Sequence, residues 1–279
     1  MTSRGVELKT PEQLRVMRRA GLVVAEAHEA VRAAARPGVT TRELDAVAVE
    51  VLARHGAGSS FLHYGADFGV PPFPAVTCIS VNNEVVHGIP GDRVLVEGDL
   101  VSVDFGAIVD GWHGDAAISF GVGTLPTARQ ALSDVTFEAL WAGIVAARLG
   151  GRVTDVSHAI EASVRRRPHR YGILREYTGH GIGSAMHQDP DVPNYGRGGR
   201  GPRIVEGLCL AIEPMVTAGS ARTATLDDEW TVVTADGSDA AHWEHTITVT
   251  SGGLWVLTSP DGGEEMLGRL GVPFGPLAD

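Results

Sequence analysis

Four carboxylates and one imidazole, Asp104, Asp115, His180, Glu213 and Glu244, are spread over the last two-thirds of this chain, each in a short strand-like or glycine-rich stretch. An oxygen-rich donor set of this kind suits a pair of divalent cations, unlike the Cys/His cage of a structural zinc. Two cations sharing a water molecule would hydrolyse a bond, so the first reading is a metal-dependent hydrolase.

Geometry pairs the first two donors. Leu100 to Val109 alternates in its first half and runs into Asp110-Gly111, a strong signal for a two-residue hairpin turn, with Trp112 to Ile118 returning. A turn centred there sets Val109 opposite Trp112, Asp115 opposite Gly106 and Asp104 opposite Ala117. Asp104 and Asp115 then lie on one face as diagonal neighbours, within reach of one cation. Gly106 and Ala117 are expected to leave the space between them open. Like carboxylates held together repel unless a cation or proton intervenes.

Glu213 closes the run Leu208 to Ile212, shares a face with Ala211 and Cys209, and is followed by Pro214, which ends the strand pairing. Glu244 leads Thr246, Thr248 and Thr250 on one face of a strand, opposite His245, Ile247 and Val249. That face suits solvent, so Glu244 taken alone reads as a surface residue. His180 stands among Gly179, Gly181 and Gly183, where a ligand or substrate is expected to approach the backbone closely.

The stretches Ser80-Val81-Asn82 through Val85-Val86-His87-Gly88-Ile89-Pro90, Asp104 to Asp115, Gly179-His180-Gly181-Ile182-Gly183 with His187, Ile212-Glu213-Pro214 and Glu244-His245-Thr246 together resemble the motifs of methionine aminopeptidases, in order and spacing, from about residue 10 to 258. The resemblance implies an α+β pita-bread fold: pseudo-twofold helix–helix–sheet halves with a curved antiparallel sheet around a dinuclear metal site. It implies that Asp115 and Glu244 bridge two divalent cations (Co, Mn, Fe or Zn), that Asp104 completes one, and that His180 with Glu213 completes the other. A water between the ions would attack the scissile carbonyl, with Glu213 as proton acceptor, His187 polarising the oxyanion and His87 holding the substrate backbone or the departing amine. Cys78 and Trp230 match pocket-lining positions. The chain departs from the family at Met186, where an aromatic is common, and at 66–74, a longer and more Pro-rich pocket loop. Both departures imply a looser side-chain pocket. The short connection from His187 to Glu213 leaves no room for a type II helical insertion and so points to type I.

The elements that must carry these residues are legible in outline. Thr10-Pro11-Glu12-Gln13 opens a helix with Leu14, Met17, Gly21, Val24 and Val31 on one face, ending before Pro37-Gly38. Thr40-Thr41-Arg42-Glu43 opens a second helix ending near Gly56, and strands start around Ala75. The second half repeats the order, with helices from about 126 to 149 and from about 154 to 165, which suggests one catalytic domain over 1–279 with duplicated halves at about 10–122 and 123–258 and a tail from 259 to 279. The glycine- and arginine-rich segment 196–203 reads as a flexible loop that could frame the substrate entrance.

Hydrophobic residues make up 43% of the 279, enough to bury a sizeable core. Cys78 and Cys209 sit in apolar strand-like segments and give no disulfide framework. No signal peptide is read in Met1 to Glu7, and no run approaches the ~18 apolar residues of a membrane span, so a cytoplasmic protein is expected. The net charge of −11 argues against nucleic acid as main ligand. Arg165-Arg166-Arg167 with His169 and Arg170 reads as a helix end favoured by the macrodipole, with a transient ribosome contact as the minor alternative. The expected substrates are nascent polypeptide N-termini with a small second residue. The alternatives are an X-Pro aminopeptidase or prolidase, which shares the ligand set but normally carries a large N-terminal domain, and a non-catalytic pita-bread binding protein, which should have lost ligands.

Overall fold

The computed structural model describes residues 5–66 and 69–278. Residues 1–4 of the leader reading and Asp67 and Phe68 of the 66–74 loop lie outside that range. The chain runs through α1 (Pro11–Ala34), α2 (Thr41–His55), β1 (Gly58–Ser59), β2 (Thr77–Val81), β3 (Glu84–Val86), β4 (Leu100–Val109) and β5 (Trp112–Gly121). It continues through α3 (Thr127–Ala146), α4 (Val153–Arg165), β6 (Gly172–Ile173), β7 (Gly179–Gly181), β8 (Gln188–Val192), β9 (Cys209–Ile212) and β10 (Met215–Thr217). It ends with β11 (Thr223–Thr225), β12 (Val232–Thr234), β13 (Ala240–His242), β14 (His245–Thr250), β15 (Gly253–Val256) and α5 (Glu264–Arg269).

Local chemistry sets the helix starts. The Thr10 hydroxyl accepts the Gln13 N–H while the Gln13 side chain accepts the Thr10 N–H at 2.8 Å, and Thr40 and Glu43 repeat the arrangement at the start of α2. Such caps contribute about 1 kcal/mol each. Gly56, with φ +59°, closes α2 in the left-handed conformation that a glycine adopts freely. The apolar face of α1 is buried as expected and packs over β4 and β5. One core gathers α1 and α2 with β2, β4 and β5; a second gathers α3 and α4 with β9 and β14.

The strands pair antiparallel as expected, with interruptions in the hydrogen-bonded ladders. They form four antiparallel sheets: β1, β2, β4 and β5; β13-β10-β6; β11-β12-β3; and β15-β14-β9-β7-β8. The break has a local cause. Pro214 cannot donate to a ladder, so β9 ends at Ile212 and β10 restarts at Met215 in another sheet. The antiparallel partner breaks at the same level: β14 pairs β9 at His245 and Ile212, β13 pairs β10 at His242 and Met215, and Trp243-Glu244 lies between. Glu213 and Glu244 therefore occupy facing interruptions.

The segment 196–203 does not frame an entrance. It is clasped to the start of α4: Gly199 N–H to Asp155 at 2.6 Å, Arg200 N–H to the Thr154 hydroxyl at 2.8 Å, and Arg152 to the Gly201 carbonyl at 2.8 Å. At the other end of α4, Arg165 donates to the Tyr171 carbonyl at 2.8 Å and Arg167 pairs with Glu138, so two of the three arginines are engaged within the chain. Both cysteines are buried and free. Among the described residues no helix is long and apolar enough to cross a membrane.

Candidate metal centre

The hairpin register is the expected one: Val109 faces Trp112, Gly106 faces Asp115 and Asp104 faces Ala117. The expected opening beside Gly106 is filled instead. A side chain at Gly106 would meet the Ser60 Cβ at 2.7 Å and Phe61 at 3.1 Å, so the absent Cβ makes room for the segment after β1. Ala117 is bridged by backbone: the Glu244 N–H donates to the Ala117 carbonyl at 2.8 Å. The Thr246 hydroxyl donates to the Asp115 carbonyl at 2.7 Å and accepts the Asp115 N–H at 3.1 Å. These bonds seat the start of β14 on β5 and bring Glu244 to the two aspartates. Glu244 is only 2% exposed, and Thr246 and Thr248 are fully buried, so the face that suited solvent is an interior junction.

The glycines around His180 also act differently from the expectation. A Cβ at Gly179 would lie 2.4 Å from the Ala211 carbonyl and one at Gly181 would lie 2.2 Å from the Asp189 carbonyl. They let β7 fit between β8 and β9 rather than admit a substrate. His180 Nδ1 is 3.0 Å from the Gly181 carbonyl and donates to it, which leaves the Nε2 lone pair facing Glu213 Oε1 at 3.4 Å. Its pKa falls to about 3, through burial and then through His187, so the ring is neutral and able to ligate.

The acids converge with no lysine or arginine among the described cavity-lining residues. Asp115, His180 and Glu244 form one group with donor atoms within 4.8 Å of each other, and Glu213, His242 and Glu244 form a second. Asp104 lies outside both groups and against Asp115. Burial raises the Asp104 pKa to about 7, with His242 opposing the rise, and pushes Asp115, Glu213 and Glu244 well above the usual carboxylate range. Asp104 Oδ1, Asp115 Oδ1, Glu244 Oε1 and His242 Nε2 are buried without hydrogen-bond partners. Buried, unpaired, mutually repelling carboxylates are unfavourable unless cations join them, and the donor set fits divalent ions.

Above the acids lies a cavity of about 260 Å³. Phe61, Phe73, Cys78 and Met186 form its apolar wall, with Tyr64 and Trp230 packed against them. The Trp230 indole donates to the Pro71 carbonyl at 2.8 Å and Phe73 meets its ring edge-on, so the 66–74 loop does help to build this wall. Burial raises the Cys78 thiol pKa, with Asp104 and Asp115 adding to it. His87 is held by Tyr177 and Trp230, ring centroids 5.3 and 6.0 Å away, and burial lowers its pKa to about 4. His187 lies at the mouth against His180, with its Nδ1 2.6 Å from the Tyr64 hydroxyl. All ten residues singled out in the sequence are in this one place. The sequence reading missed His242, although it stands two residues before Glu244 and extended chain puts such residues on one face. Tyr64, Tyr177, Phe61 and Phe73 also line the cavity, and no spacing pattern in the sequence distinguishes them.

Residues 15–251 match metallopeptidase family M24. The chain is 53% identical over 260 residues to methionine aminopeptidase 1 of Mycobacterium tuberculosis, covering 91% of this chain and 96% of that one. It is 45% identical over 250 residues to methionine aminopeptidase 1 of Bacillus subtilis, covering 90% and 98%. The crystal structure of methionine aminopeptidase from Thermotoga maritima superposes with a TM-score of 0.86 at 40% identity, covering 91% of this chain and 99% of that one.

Proposed function

Because the chain belongs to metallopeptidase family M24, and within it to the methionine aminopeptidases, we propose a division of labour among its site residues. The protein is a pita-bread metalloaminopeptidase that removes methionine from the N-termini of polypeptides and uses divalent metal. In the proposed site Asp104, Asp115, His180, Glu213 and Glu244 hold two cations. The observation that carries this reading is the set of buried donor atoms without partners at the floor of an apolar cavity. Glu244 belongs to both donor groups, which supports its assignment as a shared ligand; Asp115 is the second bridge by resemblance. Bound cations supply Lewis acidity and bring the pKa of water down toward ~7.

The chain's own groups do the rest. Glu213, whose carboxyl burial makes more basic, accepts a proton and returns it to the departing amine. His187 donates from Nε2 to the carbonyl oxygen as negative charge develops, with Tyr64 bonded to its other nitrogen. His87, neutral because of burial, holds the substrate backbone. Cys78, Met186 and Trp230 take up the methionine side chain with Phe61 and Phe73. A cytoplasmic location and a transient ribosome contact at the end of α4, where Arg166 is exposed, belong to the same reading.

Metal-reconstituted enzyme offered Met-Ala-Ser and Ala-Pro peptides in parallel tests this reading. Release of methionine alone is expected; preferential cleavage before proline would favour the prolidase alternative, and no cleavage of either would favour a binding protein.

A further inference from the structure

His242 is 2% exposed, and its Nε2 has no hydrogen-bond partner. That nitrogen lies 3.6 Å from Glu213 Oε2 and 4.0 Å from Glu244 Oε2. Its backbone N–H is held by the hydroxyls of Ser119 and Ser102 at 3.1 and 3.3 Å, which anchor the end of β13 so that the ring faces the acids. Both Nε2 separations are too long for a direct hydrogen bond. They match two donors on one ion: with ligand bonds of about 2.0–2.2 Å, neighbouring donors are about 3–4 Å apart depending on the angle between them. His180 and Glu213, a ligand pair in the proposed site, show the same spacing at 3.4 Å. The two imidazoles address different oxygens of Glu213, His180 facing Oε1 and His242 facing Oε2.

We propose that His242 is a sixth donor of the metal centre, completing a position with Glu244 and the Oε2 oxygen of Glu213, whose Oε1 stays with His180, so that each of two cations is served by one imidazole. This rests on the two-cation reading of the site. An added neutral nitrogen relieves no charge among four crowded acids, but it changes which ion they prefer. Imidazole suits cobalt, iron and zinc, whereas a position built from carboxylates alone suits manganese or magnesium.

Metal-free wild type, His242→Gln, His242→Leu and Asp115→Ala are titrated with Co²⁺ and with Mn²⁺ by anaerobic calorimetry, and the cobalt-loaded wild type is measured by X-ray absorption to count imidazoles per metal. Two ions are expected, with one imidazole per cobalt on average in wild type and half that in His242→Gln. One binding step should weaken about tenfold or more in the His242 variants, by more for Co²⁺ than for Mn²⁺, while the other step is unchanged. Half an imidazole per cobalt in wild type, with both steps unchanged in His242→Gln, would overturn the proposal. The absorption measurement on wild type decides even where a variant fails to fold. A single bound ion that keeps two imidazoles in its shell, or Asp115→Ala with both steps intact, would overturn the two-cation reading while leaving His242 a ligand.

Discussion

Replacing His187 by alanine separates metal binding from transition-state stabilisation. The ring packs on His180 with centroids 4.3 Å apart, yet neither donor group includes it. Burial lowers its pKa, so it is neutral near pH 7. Burial and then Asp115 raise the Tyr64 pKa, so the phenol keeps its proton; in the proposed role it donates to Nδ1, which puts the ring proton on Nε2 for the substrate oxygen. Loss of one preorganised oxyanion donor costs ~10²–10³ in kcat, about 2.7–4 kcal/mol. Tyr64→Phe removes the bond to His187 Nδ1; at about 1 kcal/mol for a neutral hydrogen bond, kcat should fall roughly fivefold. Steady-state kinetics with Met-Ala-Ser, together with metal content after desalting, measure both quantities. His187→Ala should keep its metal and lose kcat far more than it changes KM. An alanine variant that has lost an ion would make His187 a ligand, and one whose kcat stays within about threefold of wild type would remove the oxyanion role.

Asp115→Ala or Glu244→Ala should abolish turnover and metal binding. Asp110→Ala should mainly weaken the hairpin, where Asp110 holds φ +47°, besides losing an exposed 2.7 Å ion pair with Arg19 worth ~0.2–1 kcal/mol, so equal activity losses in all three would remove support for the bridging assignment. Met186→Phe should stiffen the apolar wall and raise the Met-to-Leu ratio of kcat/KM by an amount within ~1–3 kcal/mol, and an unchanged ratio would sink the loose-pocket argument. His28, buried in α1 with its pKa lowered to about 3 chiefly by burial, stays neutral in the folded state while the unfolded chain takes up a proton below about pH 6.5. The unfolded state thus binds more protons and stability falls as the pH is lowered, so on going from pH 7 to pH 5 wild type should lose about 2 kcal/mol more than His28→Gln in denaturant titrations. Parallel pH profiles for the two proteins would show that His28 is not the cause.

What the sequence determined by itself is local. The Thr10 and Thr40 capping boxes, the Gly56 stop and the Asp110-Gly111 turn are each specified by residues within a few positions of one another. The turn alone settles that Asp104 and Asp115 share a face, because side chains alternate with a period of two once the register is set. The proposed ligands were legible through the resemblance, since donor chemistry depends on residue type. Burial was not, because it depends on partners far away in the chain. Glu244 and its threonines have a pattern that solvent would also accept, and only the pairing with Ala117 and Asp115, 127 to 131 residues earlier, turns that face inward. The same limit explains why the glycines beside His180 read as room for a ligand when neighbouring strands fill it, and why 196–203 read as a lip when α4 supplies its hydrogen bonds. It also explains His242: its spacing from Glu244 suggests a shared face but not that the face is buried against Glu213, and the matched interruptions at Pro214 and Trp243-Glu244, which decide that, exist only once two strands have paired.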